Sequence, residues 1–454
     1  MHQTVAELSA PEFQGRQTGT NEDRRSAAVL ADRFHRLGLL PAAEQSLTAQ
    51  QAPPPFVDAI PISVARIEAA PRVVVATATE TLMARHGPDF LPVLDSPPVR
   101  TTAPVVFVGY GIADAAQGLD EYAGLDVRDR VVLFLRGKPD RYPTPVSHAE
   151  KERAARARGA VAYLMATGPI INAYEARRGT TGAPSGAYGQ SAGERPIPGV
   201  WISTELAERI LAEPGQSLRA RQEALNKELR PQSYATRVQV SLAWDSAQEA
   251  GALHNVLGLI PGQGPSAGET IIIGAHRDHL GRQGPLIFPG ADDNASGTAV
   301  MLEVARVLRE LGAPPRRSLL FLSFSGEEQG LLGSRRYVAR PSRPLRSTIA
   351  MINIDHAGVG NGRLTVGITR LPKEQAQAAG QRAGLADTLD LFGFFPGGDH
   401  VPFKEAGVPT VTIVTSGPHP DFHQPTDTAD KVQPAFLELA ARYVLALVWQ
   451  LGYE

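Results

Sequence analysis

From Leu253 onward the hydrophobic and polar positions repeat in the order strand, loop, helix. Four apolar runs of strand length, GETIIIGAH, SLLFLSF, STIAMINID and PTVTIVTS, alternate with amphipathic segments such as NASGTAVMLEVARVLRELG. Runs that are apolar throughout are typical of strands covered on both faces, and strand–helix alternation favours parallel pairing. We therefore predict an α/β fold with a mostly parallel central sheet that is flanked by helices on both faces.

The chain before Leu253 has a different pattern. Residues 1–45 have apolar positions at helical spacing and are predicted to be helical up to a Gly-Leu-Leu-Pro stop. A Gln/Pro-rich stretch at 46–60 marks a boundary. Beyond it, short β-branched runs separated by Pro, Gly and Asp predict a compact β-rich unit, which one clear helix at 147–159 interrupts. The Gly- and Ser-rich stretch 173–198 is predicted to be a long exposed loop.

Composition narrows the classes of function. Lys and Arg together number 45 against 47 Asp and Glu, so the net charge of -2 provides no field that attracts nucleic acid or an anionic membrane. The chain has no cysteine, which excludes disulfides, thiolate metal sites and a Cys nucleophile. No apolar stretch approaches the ~18 residues of a membrane span, and the first residues do not resemble a signal peptide. We expect no nucleic-acid partner, no membrane span, and a metal held only by His, Asp and Glu.

Acidic and imidazole side chains collect where the four apolar runs end. In open α/β sheets, ligands bind outside the carboxyl ends of the strands, because the loops there converge on a crevice. A further pair of carboxylates stands in PGADDNASG, between the first run and its helix. The residues at these positions are His276, Asp278, Asp292, Asp293, Glu327, Glu328, Asp355, His356 and His423.

Five of these residues form a plausible set of metal ligands that contains only nitrogen and oxygen donors. A single catalytic zinc needs only about three protein ligands, so a longer list rich in carboxylates suits two divalent ions with one aspartate bridging them. Two such ions can share a water and lower its pKa. The predicted ligands are His276, Asp293, Glu328, Asp355 and His423.

Two further carboxylate residues, Glu327 and Asp278, are predicted to act beside the metal ligands. Adjacent residues that leave a strand point in different directions, so Glu328 can bind metal while Glu327 faces the water as general base and then as acid to the departing amine. Asp278, two residues after His276, is predicted to accept the remaining N–H of that imidazole and fix its tautomer.

The order and kind of these motifs resemble a known family, the co-catalytic di-zinc exopeptidases. That family includes bacterial leucyl-type aminopeptidases and the glutamate carboxypeptidase and transferrin receptor branch. The resemblance covers residues 253–431. It is carried by GAHRDHLG (274–281), PGADDNASG (289–297), FSGEEQGLLGS (324–334), INIDHAG (352–358), GGDHVPF (397–403) and DFHQPTDT (421–428).

The resemblance implies a role for each ligand. It places His276 and Asp355 on one zinc and Glu328 and His423 on the other, with Asp293 as the bridge. Asp293 is chosen over its neighbour Asp292 because the bridging aspartate of the family stands three residues before a Ser-Gly pair, here Ser296-Gly297. It also makes Glu327 the acid/base and implies a fold of the phosphorylase/hydrolase-like kind.

A second resemblance concerns the domain organisation. VVFVGYGIADAAQGLDEYAGLDVRDRVVLFLRGKP is similar to the entry of a protease-associated domain that is inserted into such peptidases. We therefore expect residues 1–58 to form the first part of a peptidase domain, 59–246 the β-rich protease-associated insert, and 247–454 the second part, which carries the metal site.

Some positions depart from the family pattern. Relatives often carry a tyrosine whose hydroxyl stabilises the oxyanion, and Phe422 and Phe395 stand in the two places where it is expected. An imidazole, His356, replaces an apolar residue after Asp355. We expect Asp399, His400 and His356 to support the ligands from around the site. His279, His400 and His419 are alternatively hydrogen-bonded loop histidines that are not needed as ligands.

The function predicted from these residues is that of a zinc-dependent exopeptidase, with an aminopeptidase favoured. It would hold two zinc ions, although other divalent metals fit the same donors, and would act on peptides through a water that Glu327 activates. The alternatives are a carboxypeptidase or dipeptidase of the glutamate carboxypeptidase type, a non-catalytic receptor-like protein, and a glutaminyl cyclase. By analogy with similar enzymes we expect export to the periplasm or the medium.

Overall fold

A computed structural model describes residues 1–43, 55–171, 176, 180–189, 196–212 and 216–454. The Gln/Pro-rich boundary stretch and the predicted loop at 173–198 therefore lie partly outside the described residues.

The strands alternate with helices over the second half of the chain, as the sequence pattern predicts. In chain order, the strands of the described residues are β1 Leu40–Pro41, β2 Val57–Arg66, β3 Arg72–Ala76, β4 Thr81–Met83, β5 Phe90–Pro92, β6 Val99–Phe107, β7 Ala113–Asp114, β8 Leu119–Asp120, β9 Val131–Leu135, β10 Ala162–Ala166, β11 Gly199–Ile202, β12 Tyr234–Trp244, β13 Ala247–Ile260, β14 Thr270–His276, β15 Gly281–Gln283, β16 Leu286–Phe288, β17 Ser318–Phe324, β18 Thr348–Ile354, β19 Leu364–Thr369, β20 Leu389–Phe392 and β21 Thr410–Thr415.

The helices vary from six to nineteen residues in length. The α-helices of the described residues are α1 His2–Leu8, α2 Asn21–Arg36, α3 His148–Arg156, α4 Thr204–Ile210, α5 Leu218–Glu228, α6 Gly297–Glu310, α7 Leu332–Ala339, α8 Lys373–Arg382, α9 His400–Glu405 and α10 Pro434–Gly452. Short 3₁₀ segments lie at Pro11–Arg16, Ala115–Gln117, Leu345–Ser347, Ala386–Thr388 and Ala429–Lys431, and a π-helical turn lies at Ala291–Ser296.

The chain divides into two compact units. Unit 1 comprises Met1–Val64, Ala250–Gly281 and Ile287–Glu454, and unit 2 comprises Ala65–Glu249 and Arg282–Leu286. All of the predicted metal ligands belong to unit 1. The assignment of the middle of the chain as a protease-associated domain stays a prediction.

Unit 1 is built on a nine-stranded sheet, and its α/β class confirms the prediction. The strand order is β1-β13-β17-β14-β18-β21-β19-β20, with β2 also paired to β13. The four central strands, β17, β14, β18 and β21, are parallel to one another. Next to them, β13 and β19 pair antiparallel with β17 and β21. The sheet is thus parallel in its centre and mixed toward both edges.

Helices cover both faces of this sheet, because successive strand residues point to opposite sides. Along β14, Ile271 and Ile273 join a core cluster that includes residues of α2, α6 and α10. Ile272, between them, joins a second cluster with Tyr337 of α7 and Phe403 of α9. The continuous apolar pattern of β14 therefore results from burial on both faces.

Helix α10 is the one helix of the described residues that is long and apolar enough to cross a membrane by length and composition. In the structure it is a core helix: Leu437, Val444, Leu447 and Leu451 are all buried in the same cluster as α2 and α6. Burial in the core of unit 1 explains its apolar composition.

The first residues do not form the continuous helix predicted for 1–45. The chain is α-helical at α1 and α2, and the stretch between them contains left-handed backbone at Gln14 and Gly15. A Cβ at Gly15 would lie 2.3 Å from the main-chain oxygen of Phe288, so this close approach requires glycine. The break directs Arg16 and Thr18 toward the ends of the central strands.

Unit 2 contains a mixed eight-stranded sheet in the order β4-β3-β12-β6-β9-β10-β11-β5. Besides the predicted helix α3 it contains α4 and α5, which the sequence pattern did not reveal. Both begin at a serine whose hydroxyl accepts a main-chain N–H, Ser203 for α4 and Ser217 for α5. Unit 2 is therefore an α/β unit in its described residues, richer in helix than the predicted β-rich insert.

Candidate metal centre

Parallel neighbouring strands bring the predicted ligands to one edge of the central sheet. His276 is the last residue of β14 and lies opposite Phe324, the last residue of β17. The loop after β17 carries Glu327 and Glu328, and Asp355 directly follows β18. Since these strands are adjacent and point the same way, their carboxyl ends meet.

One cluster of ligand atoms surrounds His276. Its Nε2 lies 3.3 Å from Oδ1 of Asp293 and 3.3 Å from Oδ1 of Asp355. Two donors bound to one tetrahedral zinc are about 3.3 Å apart, given bonds of ~2.0–2.1 Å. His276, Asp293 and Asp355 thus have the spacing that a shared ion requires.

A second cluster lies on the other side of Asp293. Nε2 of His423 is 3.2 Å from Oδ2 of Asp293 and 3.1 Å from Oε2 of Glu328. The two carboxylate oxygens of Asp293 therefore face two different groups of donors. This is the arrangement that a bridging ligand needs.

The carboxylates and the imidazoles of the two clusters stabilise each other's charged forms. Burial opposes ionisation, but the facing imidazoles, His423 first, lower the pKa of Glu328 to about 2. Likewise, burial opposes protonation of His423, but Glu328 and Asp293 raise its pKa to about 10. The donors therefore form a buried set of carboxylates that is compensated by positive charge.

Two carboxylate oxygens of these clusters also lack the geometry of a hydrogen bond, although each lies near an imidazole. Oε1 of Glu328 and Oδ1 of Asp355 are buried, and neither forms a hydrogen bond with any described residue. Buried polar atoms without a hydrogen bond call for an explanation, and a bound ion is one of them. The residues of this edge therefore fit a divalent metal.

Glu327 and Asp278 lie beside the two clusters. Burial raises the pKa of the Glu327 carboxyl well above its usual range. The main-chain N–H of Glu327 donates to Oδ1 of Asp278 at 3.3 Å, and Thr18 Oγ1 donates to Oδ2 at 2.9 Å. Nδ1 of His276 is 3.2 Å from the main-chain oxygen of Asp278 and 3.7 Å from its carboxylate. Both the carbonyl and the carboxylate of Asp278 therefore lie near Nδ1 of His276, with the carbonyl nearer.

The sequence of this region matches a family of peptidases. Residues 255–448 match the model of Peptidase family M28. We refer to residues 255–448, which match this family model, as the M28 domain. All five predicted ligands lie within the matched residues.

The chain is also similar in sequence to proteins that are named as aminopeptidases. It is 31% identical over 211 residues to Aminopeptidase YwaD of Bacillus subtilis (strain 168), a match that spans 43% of this chain and 44% of that protein. It is 28% identical over 213 residues to a probable leucine aminopeptidase of Arthroderma otae, spanning 44% of this chain and 58% of that protein. The chain thus spans about half the length of these relatives.

Solved structures resemble the whole chain in fold. The aminopeptidase from Aneurinibacillus sp. strain AM-1 is 23% identical, with a TM-score of 0.69 over 100% of this chain and 93% of that one. A Peptidase M28 precursor from Shewanella amazonensis SB2B is 19% identical, with a TM-score of 0.67 over 100% and 93% of the two chains. The similarity extends the shared fold beyond the M28 domain.

The three residues predicted to support the ligands differ in their contacts with the two clusters. His356 is nearest: its Nε2 is 3.7 Å from Asp293 Oδ2 and 3.8 Å from Asp355 Oδ1. Asp399 is fully buried, and burial raises its pKa to about 7. His400 is buried with Nε2 2.8 Å from the main-chain oxygen of Phe395, which is the contact of a hydrogen-bonded loop histidine.

The two phenylalanines in the expected tyrosine positions lie in different surroundings. The ring of Phe422 stacks on the ligand His423 with a centroid separation of 3.8 Å, and its centroid is 5.3 Å from that of His356. Phe395 contacts Phe392 at 5.9 Å. Neither side chain has a hydroxyl, so neither supplies a hydrogen bond to a reacting oxygen.

Sequence reasoning missed Asp427, which holds the backbone of the predicted bridging ligand in place. The Asp427 carboxylate accepts the main-chain N–H groups of Asp292 and Asp293, at 2.8 and 3.1 Å. His419, which was predicted as a hydrogen-bonded loop histidine, has its Nδ1 2.6 Å from Oδ2 of Asp292, the neighbour of the predicted bridging ligand. The position of Asp427 inside the motif DFHQPTDT was the available signal.

Arg16 is a second missed residue. Its guanidinium is fully buried and donates to the main-chain oxygens of Arg277, Pro289 and Gly290, at 2.6, 2.7 and 2.8 Å. These bonds tie the loop after β14 to the turn before Asp293. No pattern in the sequence distinguishes Arg16 from a surface arginine.

Proposed function

We propose that the protein is a zinc-dependent aminopeptidase that binds two zinc ions and removes N-terminal residues from peptides. One ion would be held by His276 and Asp355 and the other by Glu328 and His423, with Asp293 shared between them. The names of the relatives, aminopeptidase and leucine aminopeptidase, support the reaction class and its direction.

The observation that carries this proposal is the position of Asp293. One of its oxygens lies 3.3 Å from His276 Nε2, and the other lies 3.2 Å from His423 Nε2. A carboxylate that contacted one cluster alone would fit a single ion. Two bound ions would polarise the scissile carbonyl and lower the pKa of an attacking water.

Glu327 is the group that we propose moves the proton. It takes a proton from the water as the new C–O bond forms, and delivers it to the amine nitrogen as the peptide C–N bond breaks. Its backbone is held by Asp278, so the carboxylate does not need to bind metal to keep its place. Burial raises the pKa of Glu327 and so favours the protonated carboxyl that the second step needs, whereas two bound cations would favour the carboxylate that the first step needs.

The function is tested with Glu327→Gln. This change keeps the size of the side chain and removes its ability to accept and return a proton. We expect peptide hydrolysis to fall by ~10²–10⁴-fold, while metal analysis still finds two zinc ions per chain. Glu310→Gln, at an exposed position on α6, is the control and should leave both measurements unchanged.

The direction of cleavage is tested on the wild-type protein with amino-acid anilides and with dipeptides blocked at the amino end but free at the carboxyl end. Hydrolysis of the anilides supports an aminopeptidase. Hydrolysis of the blocked dipeptides alone would replace it with a carboxypeptidase. Full activity of Glu327→Gln would refute the role of Glu327, and a protein with no bound zinc would refute the metal centre.

A further inference from the structure

We propose that His279 is a further metal ligand, which joins Asp293, Glu328 and His423 at one of the two ion positions. The inference rests on the proposed function, since it concerns the same pair of ions. It replaces the sequence interpretation of His279 as a loop histidine that is not needed as a ligand.

The first observation is that His279 is buried without a hydrogen bond. Its side chain has no exposed surface, Nε2 has no hydrogen-bond partner among the described residues, and the close contact of Nδ1 is with the Glu328 carboxylate, without the geometry of a hydrogen bond. Buried imidazoles are normally hydrogen-bonded, because leaving a polar group without a partner in the interior costs ~1–3 kcal/mol. A structural loop histidine would be expected to show the hydrogen bond that His400 has.

The second observation is the direction in which His279 faces. Nδ1 lies 2.7 Å from Oε1 of Glu328 and 3.9 Å from Oδ2 of Asp293, distances that bracket the ~3.3 Å expected between donors on one zinc. The contact with Glu328 is short but lacks the alignment of a hydrogen bond. A ring nitrogen that binds an ion points at the ion and not at the neighbouring ligand. It can therefore lie close to an oxygen of that ligand without the alignment of a hydrogen bond.

The fold holds the ring in this position. Gly290 has a left-handed φ of 60°, and a Cβ there would lie 2.4 Å from Cγ of His279. Glycine at 290 therefore leaves the space that the imidazole fills. Arg16 holds the backbone of both residues. Its guanidinium donates to the main-chain oxygen of Gly290, and its main-chain oxygen accepts the main-chain N–H of His279 at 3.4 Å.

A fourth ligand would make the two ion positions unequal. Structural zinc sites are closed by four protein ligands, whereas catalytic sites have three and keep one place open. With His279, the position at Glu328 has four protein groups, while His276, Asp293 and Asp355 supply three at the other. At the His276 position, Nε2 of His356 is 3.8 Å from Oδ1 of Asp355, and its contact with Asp293, at 3.7 Å, is with the oxygen that faces the Glu328 position, so His356 is not counted as a ligand. We therefore expect one ion to be held more tightly.

The test measures zinc binding directly. Wild type, His279→Ala and His279→Asn are dialysed against graded zinc buffers, and their zinc content is compared. We expect wild type to keep one ion under conditions that remove the other. Both variants should bind that tight ion at least about tenfold more weakly. In the X-ray absorption spectrum of protein loaded with one zinc per chain, two imidazoles should surround the metal in wild type and one in the variants.

The asparagine variant separates ligation from hydrogen bonding. Its amide can still donate to Glu328 but is a poor zinc ligand. Zinc affinity restored to the wild-type value by His279→Asn would therefore overturn the inference, as would an unchanged imidazole count in His279→Ala. His86→Ala, in unit 2, is the control for removal of a half-buried histidine, and its zinc binding should match that of wild type.

The outcome also distinguishes this inference from the proposed function. Two equally held zinc ions in wild type, unaffected by the loss of His279, would refute the inference and leave the aminopeptidase proposal standing. A wild-type protein that binds no zinc in any buffer would refute both.

Discussion

The main-chain N–H of Glu327 donates to a carboxylate oxygen of Asp278 at 3.3 Å. The same aspartate offers its carbonyl oxygen to His276 Nδ1 at 3.2 Å and accepts the Thr18 hydroxyl at 2.9 Å. Asp278 therefore contacts both a predicted metal ligand and the backbone of the predicted proton carrier. Its carbonyl oxygen contacts the predicted ligand His276, and its carboxylate accepts the hydrogen bond from the Glu327 N–H.

This division of contacts predicts the effect of Asp278→Ala. The substitution leaves the carbonyl that accepts from His276 but removes the acceptor for Glu327 N–H and Thr18. We expect kcat to fall by about tenfold or more, with two zinc ions still bound and the pH dependence of kcat displaced. The change is followed by peptide hydrolysis across pH and by metal analysis. Asp32→Ala, on the exposed side of α2, is the control.

Loss of zinc from Asp278→Ala, with an unchanged pH profile in the protein that remains loaded, would contradict this prediction. It would mean that the carboxylate acts on His276 and that its contact with Glu327 has no effect on catalysis.

Asp427 gives a second prediction. Its buried carboxylate accepts the N–H groups of Asp292 and Asp293, and therefore fixes the backbone of the proposed bridging ligand. In Asp427→Ala both N–H groups would lose their partner. We expect the free energy of unfolding to fall by ~1–3 kcal/mol and zinc affinity to fall by ~10–100-fold, measured by urea denaturation and by competition with a chelator. Asp430→Ala, three residues on and exposed, should change neither.

Unchanged zinc affinity in Asp427→Ala would show that the bridging position of Asp293 does not depend on this carboxylate. A loss of affinity in Asp430→Ala of equal size would point to a general effect on the loop.

The clustering of the ligands could be predicted from the sequence because it follows from the sheet. His276 and Asp355 end or follow buried strands, and Glu328 comes four residues after another. Those three strands, β14, β18 and β17, are adjacent and parallel, so the order of chemical groups along the chain becomes proximity in space. The antiparallel pairing of β13 and β19 was not predicted, because the apolar pattern of a buried strand does not reveal its direction relative to its neighbours.

Long-range contacts to the main chain could not be predicted in the same way. The bond from Arg16 to the carbonyl of Arg277 joins positions 261 residues apart. Every residue has a main-chain carbonyl, so residue identity does not reveal which carbonyl accepts such a hydrogen bond. The complete burial of His279 could not be predicted for a related reason: His279 stands within the motif GAHRDHLG, but no spacing signal distinguishes it there from a loop histidine.

A third prediction concerns pH and metal binding. In the metal-free protein the facing carboxylates raise the pKa of His423 to about 10 and that of His276 well above its usual range, against the effect of burial. At neutral pH these imidazoles carry protons that must leave before they can bind zinc. Zinc affinity should therefore rise with pH, about tenfold per pH unit for each proton released. Calorimetry in two buffers of different ionisation enthalpy measures the number released, and a heat of binding that is the same in both would contradict the prediction.

The last prediction concerns acid stability in unit 2. The ring of His148 packs against Phe134 and Tyr163, with centroid separations of 6.1 and 5.1 Å. Burial first, and then the charges of Lys151 and Arg136, lower its pKa from 6.5 to about 3. Between these two values the unfolded chain binds a proton that the folded chain does not. Stability is therefore lost as the pH falls from about 6.5 toward about 3.

His148→Phe keeps an aromatic ring at this position and removes the proton. Between pH 6 and pH 4 we expect the free energy of unfolding to fall less steeply in the variant than in wild type, by ~1.4 kcal/mol per pH unit. Urea denaturation, followed by the fluorescence of the buried Trp201 and Trp244 of unit 2, measures the slope. His35→Phe, at an exposed position of unit 1, should keep the wild-type slope. Parallel slopes for His148→Phe and wild type would show that His148 accepts its proton in the folded protein as readily as in the unfolded chain.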